Sequence, residues 1–294
     1  YRARSRPFAG WSGALDLLVS TYWLASSLGA EGLCIVDATA FMPGSERDAA
    51  AEYAAAHIPG AIFLDLANLS DPDDPRPNMV PTAQQFAAHV EARGVGHDSR
   101  IVLYDNSPLG SAARAWWLFE HYGAQNIAIL DGGLRKWLAE ERPVGSGRPA
   151  PSSARFTVHR DESAIVTKEE ILGTLGSDAA QILDARGMGR FTGEEPEVRP
   201  GMVSGHIPGS RCLPSSLLFN PDGTWKRGQE LRDLFTQAGI DLDRPIITTC
   251  GSGVTAAVLL FAARLLGKTD VRLYDGSWSE WGADPATPKA TGAA

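Results

Sequence analysis

The sequence His57-Ile58-Pro59-Gly60-Ala61 returns 149 residues later as His206-Ile207-Pro208-Gly209-Ser210, and this repeat decides how the chain is organised. Other features recur in the same order at offsets of 144 or 145. An apolar run at 101–105 matches 246–250, and Asp-Gly-Gly at 131–133 matches Asp-Gly-Ser at 275–277. Two long copies are typical of a duplicated domain, because a solenoid needs at least three short repeats.

The segment between the two copies is rich in Pro, Gly and Ser and has little to bury. It predicts a linker at residues 142–155, between a first domain at 1–141 and a second domain at 156–294. The length of 294 residues agrees with two domains of about 150 residues each.

Composition excludes several classes of protein. Hydrophobic residues make up 44% and charged residues 21%, as in an ordinary globular protein. The net charge of −8 argues against a nucleic-acid partner. No apolar stretch is long enough to span a bilayer, and none follows the basic N-terminus, so we expect neither a membrane partner nor a signal peptide. Three cysteines argue against a disulfide framework and favour the reducing cytoplasm.

Short β-branched runs alternate with helical patterns within each copy. Strands are predicted at 101–104 and 246–249, and each is followed by a helix, at 111–121 and 254–266. This alternation predicts an α/β fold of two tandem domains, each a parallel sheet flanked by helices. In such folds, sites form at the carboxyl ends of the strands.

Cys250 occupies such a position, directly after a predicted strand. Gly251 and Gly253 permit a tight turn, which can aim the backbone N–H groups of Gly251, Ser252, Gly253, Val254 and Thr255 at the sulfur. The start of the following helix adds the positive end of its dipole. Both effects stabilise a thiolate, so Cys250 is the candidate nucleophile. The alternative is a small buried hydrophobe, which is our interpretation of Cys34 and Cys212.

The first copy differs at the position that matches Cys250. Asp105 stands there, and residues 105–110 lack the compact Gly-x-Gly spacing. We therefore expect the first domain to be catalytically silent and to shape the cleft. Asp105, Tyr104 and Arg114 are predicted to lie across that cleft, although Tyr104 is equally consistent with a core aromatic.

Several motifs together resemble the two-domain rhodanese-type sulfurtransferases over essentially the whole chain. They are Gly-Arg-Phe-x-Gly at 189–193, Glu-Pro-x-x-Arg at 195–199, both His-Ile-Pro-Gly copies, and Asp-Gly-Ser-Trp-Ser-Glu-Trp at 275–281. Residues 250–255 resemble the active loop of the 3-mercaptopyruvate branch of that superfamily. The resemblance implies two rhodanese-like domains and sulfur transfer through a cysteine persulfide.

The resemblance also assigns roles to Arg190 and Arg199, as ligands of the substrate carboxylate. A guanidinium fork matches a carboxylate with two parallel hydrogen bonds. The alternative is that they are solvated, or that they pair with Glu194, Glu195 or Glu197. Arg186 is interpreted as structural.

The residues after Cys250 bear on the sulfur donor. Thiosulfate-using members of the family carry basic residues there, whereas Gly251 and Ser252 are uncharged. This favours 3-mercaptopyruvate, with pyruvate as product and a thiol such as thioredoxin or a small thiol as acceptor, or cyanide in an assay. The alternatives are a thiosulfate:cyanide sulfurtransferase and a persulfide-carrier module without turnover of its own. A cysteine phosphatase is disfavoured, because the sixth residue after the cysteine is Ala256 rather than Arg.

A Ser–His–Asp relay proposed for the family maps to Ser252, His57 and Asp48. Ser252 is also expected to hydrogen-bond substrate or thiolate. Since His206 repeats the His57 motif in the other domain, a structural role for His57 is favoured over the relay. The acidic run at 71–75 is interpreted as a solvated turn. No zinc-ligand spacing and no phosphate-binding glycine motif occurs, so we expect no metal and no cofactor.

Overall fold

The computed structural model describes residues 15–147 and 154–293. The first half contains the strands β1 (Leu18–Val19), β2 (Leu33–Asp37), β3 (Ile62–Phe63), β4 (Arg100–Tyr104) and β5 (Ile127–Leu130). Its helices are α1 (Thr21–Ser27), α2 (Ala49–Ala55), α3 (Ala83–Glu91), α4 (Ala112–His121) and α5 (Gly133–Ala139).

The second half repeats this series of elements. Its strands are β6 (Ile165–Val166), β7 (Gln181–Asp184), β8 (Arg211–Cys212), β9 (Ile246–Thr249) and β10 (Val271–Tyr274). Its helices are α6 (Lys168–Thr174), α7 (Met188–Thr192), α8 (Gly228–Gln237), α9 (Ala256–Leu265) and α10 (Ser277–Trp281). Short 3₁₀ turns lie at Glu162–Ala164 and Ser215–Leu218.

Each half forms one five-stranded parallel sheet. The strand orders are β1-β5-β4-β2-β3 and β6-β10-β9-β7-β8, which are the same order in the two halves. All the strand pairs are parallel, from Leu33 beside Arg100 in the first sheet to Gln181 beside Ile246 in the second. The predicted α/β fold with two parallel sheets is therefore confirmed.

The predicted elements next to the Cys250 position agree closely with the structure. The strand at 246–249 is confirmed, and the helix predicted at 254–266 runs from Ala256 to Leu265. Residues 250–255 lie in the turn between them. Eight consecutive residues of α9, from Ala256 to Ala263, are buried, as the apolar sequence predicted.

The two halves meet through α4 and α9. The ring of Trp116 in α4 contacts the ring of Phe261 in α9 edge-on, with centroids 4.9 Å apart. Both helices follow the central strands of their sheets, so they begin at the carboxyl ends of β4 and β9. Their packing consequently brings the turn after β9 against the first domain.

The segment predicted as the linker lies against the first domain at both of its described ends. Gly145 and His57 exchange backbone hydrogen bonds of 2.8 and 3.0 Å, and the carbonyl of Arg155 accepts from the amide of His97 at 3.0 Å. The ring of Phe156 packs edge-on against Phe86. Residues 148–153 of the predicted linker lie outside the described part. The boundaries at 141 and 156 stay a prediction.

Within residues 15–147 and 154–293, no helix has the length and apolar character needed to cross a membrane. Among the same residues no group of three or more His, Cys, Asp or Glu side chains is placed to hold a metal ion.

Candidate active site

Cys250 directly follows β9, a central strand of the second sheet, and is 2% exposed. The turn that it begins depends on Gly253, whose φ is +79°, in the left-handed region that favours glycine. A Cβ at this position would lie 2.9 Å from Oδ1 of Asp275 and 3.1 Å from Nη1 of Arg114. Both backbone conformation and space therefore require glycine at residue 253.

Ser277 fixes the turn from inside the second domain. Its Oγ accepts hydrogen bonds from the amides of Cys250 and Gly253, both at 3.2 Å, and donates to the carbonyl of Tyr274 at 2.8 Å. The prediction that Gly253 directs its N–H at the sulfur is therefore wrong in this geometry, because Ser277 takes that hydrogen.

The other four predicted donors remain available. In the described part of the chain no acceptor takes the N–H of Gly251, Ser252, Val254 or Thr255. The carbonyl of Gly251 is held by the amide of Ser279 at 2.9 Å and by its hydroxyl at 2.6 Å. The turn is thus held by Ser277 and Ser279, while these four N–H groups stay unpaired.

Arg190 and Arg199 both lie against this turn. A Cβ built on Gly251 would lie 3.2 Å from Nη2 of Arg190 and 3.9 Å from Nη1 of Arg199. The structure therefore brings the two predicted carboxylate ligands to the residue that follows Cys250. Gly251 gives them the room to approach the backbone.

The two arginines differ in the residues that bind their guanidinium groups. Arg190 donates from Nε and Nη2 to Oε2 of Glu197, at 3.2 and 2.5 Å. The other oxygen of Glu197 accepts from Arg186 at 2.6 Å, and Arg186 is bound in turn to Asp184. Glu197 thus joins Arg190 to a buried structural arginine, which is the pairing that the sequence left open.

Arg199, in contrast, makes no ion pair and no hydrogen bond to any described residue. Partial burial lowers the pKa of the Arg199 guanidinium, and the negative charge of a Cys250 thiolate opposes that shift. A guanidinium stays protonated in proteins. Arg199 therefore presents a positive charge beside the Cys250 turn, and no carboxylate of the described chain binds it directly, although Glu197 lies near enough to act on it electrostatically.

The structure does not assemble the Ser252–His57–Asp48 relay. The Oγ of Ser252 accepts from Nδ2 of Asn78 at 2.9 Å. His57 Nδ1 bonds to the carbonyl of Tyr53 at 2.8 Å, and its ring stacks on that of Tyr53. The Asp48 carboxylate caps α2 by accepting two backbone amides, at 2.9 and 3.1 Å.

The contacts of His206 agree with a structural role for the repeated histidine. Its Nδ1 bonds to the carbonyl of Phe191 at 2.8 Å, and its ring stacks on Phe191 at a centroid distance of 3.9 Å. Each histidine also pairs its backbone with a later segment of the chain, His57 with Gly145 in the predicted linker and His206 with Ala290 near the end of the second domain. Because the contacts are equivalent in the two copies, they explain His57 without any catalytic step.

A buried ion pair crosses from the first domain to the Cys250 turn. Nη1 of Arg114 lies 2.7 Å from Oδ1 of Asp275, and the two side chains are 3% and 2% exposed. Arg114 also donates to the carbonyl of Gly253 at 3.3 Å, and Oδ2 of Asp275 accepts from the amide of Val80 at 2.7 Å. The predicted place of Arg114 at the cleft agrees with these contacts.

Residues 74–80 are functional neighbours that the sequence analysis missed. Arg76 pairs with Asp74 and with Glu280 of the second domain, and Asn78 reaches Ser252. Asp74 belongs to the run that was predicted to be only a solvated turn. The sequence carries no signal for these contacts, since they exist only once the two domains are packed together.

Comparison with known proteins agrees with this architecture. The rhodanese-like domain family matches the chain twice, at residues 20–140 and 167–284. The chain belongs to the rhodanese family. It is 42% identical to human 3-mercaptopyruvate sulfurtransferase over 270 residues, which cover 90% of this chain and 91% of that protein.

Two further relatives support the assignment. Thiosulfate sulfurtransferase of Cricetulus griseus is 42% identical over 271 residues, covering 90% of this chain and 91% of that protein. The crystal structure of SseA from Escherichia coli, described with the 3-mercaptopyruvate sulfotransferases, has a TM-score of 0.83 and 38% identity, covering 90% of this chain and 100% of that one. The chain is a sulfurtransferase with two rhodanese-like domains.

The first rhodanese domain fills its equivalent of the Cys250 position with a carboxylate. Asp105 accepts from the amides of Ala112 at 2.6 Å and Ser107 at 3.0 Å, beside a cavity of about 600 Å³. The hydroxyl of Tyr104 accepts from the amide of Ile58 within the first-domain core. Neither Tyr104 nor Asp105 contacts the Cys250 turn among the contacts of the described chain, so their predicted place across the cleft is corrected.

Asp105 gives this rhodanese a testable pH dependence. Burial raises the pKa of the Asp105 carboxyl from 3.8 to about 6, although the two amide bonds oppose this shift. The folded state then binds more protons than the unfolded state between pH 4 and 6. The contribution of Asp105 to stability is therefore complete below pH 4 and is lost as the pH rises through 6.

We expect the free energy of unfolding of the wild type, relative to Asp105→Asn, to fall by on the order of 2 kcal/mol between pH 4 and pH 7. Urea denaturation of both proteins across that range measures this difference. An exposed carboxylate serves as control, and Asp243→Asn is expected to show no such trend. A constant difference at all pH values would contradict the prediction.

Proposed function

We propose that this protein takes the sulfur of 3-mercaptopyruvate onto Cys250 as a persulfide, releases pyruvate, and passes the sulfur to an acceptor thiol. The observation that carries this proposal is the unpaired guanidinium of Arg199 beside an uncharged Cys250-Gly251-Ser252 turn. A keto acid needs a cation for its carboxylate at some distance from its sulfur, and this arrangement supplies one.

Charge placement separates the two donors named by the relatives. Thiosulfate is a compact dianion, whose negative charge stays close to the sulfur that is attacked. Basic side chains within the turn itself suit such a donor, whereas residues 251 and 252 carry no charge, and the guanidinium groups that lie against the turn come from Arg190 and Arg199. Because relatives at 42% identity carry either donor in their names, the choice of donor rests on the site itself.

The first half-reaction is a displacement at sulfur. The Cys250 thiolate forms a bond to the sulfur of 3-mercaptopyruvate, and the bond from that sulfur to C3 breaks. The electron pair leaves with carbon as the enolate of pyruvate, which takes a proton from water at C3. The thiol hydrogen stays on the outer sulfur, so Cys250 ends as a persulfide.

The second half-reaction returns the enzyme to its thiolate. The thiolate of an acceptor, such as thioredoxin or a small thiol, attacks the outer sulfur and displaces Cys250; cyanide serves in an assay. In this proposal the unpaired N–H groups of Gly251, Ser252, Val254 and Thr255 stabilise negative charge on the persulfide. The cytoplasm, predicted from the cysteine content, is the compartment proposed for this cycle.

The proposal is tested by steady-state rates with 3-mercaptopyruvate and with thiosulfate. We expect wild type to prefer the keto acid, and Arg199→Ala to lower kcat/KM for it roughly 100-fold, because a charge-assisted bond to the carboxylate is lost. Arg232→Ala, on an exposed position of α8, is the matched control and should leave the rate unchanged.

Two outcomes would overturn the proposal. Faster turnover of thiosulfate than of the keto acid would establish the alternative donor. Stable persulfide on the purified protein, without turnover of either donor, would instead indicate a sulfur-carrier module.

A further inference from the structure

Asn78 belongs to the first rhodanese domain, yet its side chain bonds to the active-site turn of the second. Nδ2 of Asn78 lies 2.9 Å from Oγ of Ser252 and 3.4 Å from the backbone carbonyl oxygen of the same residue. A carbonyl oxygen can only accept, so the atom that faces it must be the NH₂ group of the amide. The Ser252 hydroxyl oxygen is therefore the acceptor of this bond.

This direction decides what the Ser252 hydroxyl can do. Its oxygen is occupied by Asn78, and no described residue accepts its hydrogen. Ser252 is buried, beside the glycine against which both arginines lie. The hydroxyl hydrogen of Ser252 can therefore be donated to a ligand that enters the site.

Asn78 is itself held in an uncommon backbone conformation. Its φ is +61°, which asparagine tolerates better than most residues. The carbonyl of Asn78 accepts from Nη2 of Arg114 at 2.5 Å, and the amide of Val80 donates to Asp275 at 2.7 Å. The buried Arg114–Asp275 pair thus holds the chain from the carbonyl of Asn78 to the amide of Val80.

We propose that Asn78 is a positioning residue by which the catalytically silent domain keeps the Ser252 hydroxyl oriented as a hydrogen-bond donor to the keto oxygen of the bound donor. This inference rests on the proposed function, because only a keto-acid donor has such an oxygen. Negative charge grows on that oxygen as the carbon–sulfur bond breaks and the enolate forms. A fixed donor stabilises the developing charge, whereas a hydroxyl that must first turn does so less well.

The test measures each half-reaction separately. The rate of Cys250 persulfide formation from 3-mercaptopyruvate is followed by rapid-quench mass spectrometry. The discharge of the persulfide to a thiol is followed after loading the enzyme with inorganic polysulfide, which has no keto oxygen. Asn78→Gly keeps the left-handed backbone and the carbonyl bonded to Arg114 while it removes the amide.

We expect Ser252→Ala to slow persulfide formation from the keto acid about 100-fold. Asn78→Gly is expected to slow it roughly fivefold to tenfold. The double variant should be no slower than Ser252→Ala alone, since Asn78 acts through Ser252. Discharge of the persulfide should stay within twofold of wild type in Asn78→Gly. Glu141→Gly replaces another residue of positive φ, far along the chain, and should change neither rate.

The inference would be overturned if Asn78→Gly formed the persulfide at the wild-type rate, or if the losses of the two single variants multiplied in the double variant. It would also be overturned if Asn78→Gly slowed persulfide formation and discharge equally, because that result would indicate a general disturbance of the turn. Failure of the proposed function is distinguishable, because wild type itself would then form no persulfide from 3-mercaptopyruvate.

Discussion

Replacement of Cys250 by serine is expected to lower the turnover of 3-mercaptopyruvate by at least about 10³-fold, because it removes the proposed nucleophile of both half-reactions. Steady-state pyruvate release measures the loss. Intact-protein mass spectrometry should find one additional sulfur on wild type after incubation with the donor alone, and none on Cys250→Ser.

The other two cysteines provide matched controls. Burial raises the pKa of the Cys34 thiol to about 11 and that of the Cys212 thiol to about 12, so neither forms much thiolate at neutral pH. Cys34→Ser and Cys212→Ser should therefore retain the activity and the added sulfur. Full turnover by Cys250→Ser would refute the persulfide mechanism altogether.

Breaking the buried Arg114–Asp275 pair is expected to give a large loss of stability. Arg114→Met leaves the Asp275 carboxylate buried without its countercharge and removes the donor to the carbonyl of Gly253. Removal of one partner of such a pair costs about 3–5 kcal/mol. Guanidinium denaturation followed by tryptophan fluorescence measures the change in the free energy of unfolding.

A double variant shows whether the loss comes from the stranded charge. Arg114→Met with Asp275→Asn should be more stable than Arg114→Met alone, because no charged group is then left unpaired. The surface pair Arg244–Asp178 is the comparison, since Asp178 is fully exposed; Arg244→Met should leave the free energy of unfolding nearly unchanged. If Arg114→Met changed the free energy of unfolding as little as Arg244→Met, the buried pair would not stabilise the folded protein.

Sequence patterns predict the structure correctly where it depends on residues that are close together in the chain. The strand at 246–249 and the buried helix behind it follow from a continuous apolar run, and the turn at Cys250 follows from two glycines. The duplicated fold follows from the repeat of His-Ile-Pro-Gly. Each of these features depends on a short segment of sequence, so pattern and composition are sufficient to predict it.

The parts that sequence analysis missed all depend on contacts between distant segments. Ser277 takes the amide of Gly253 from 24 positions away, and Asn78 reaches Ser252 from the other domain. No periodicity marks either residue. The relay through His57 was suggested by the family resemblance, while the repeat of the same motif at His206 already favoured the structural role that the contacts show.

The close approach of Arg190 to Gly251 limits how this site can change its donor. A side chain at residue 251 would start 3.2 Å from that guanidinium, so a basic residue there and Arg190 in its present place compete for one volume. Like charges at that separation also repel. A basic side chain at residue 251 would therefore displace the guanidinium of Arg190, which lies 61 residues away in the sequence, from its present place against the turn.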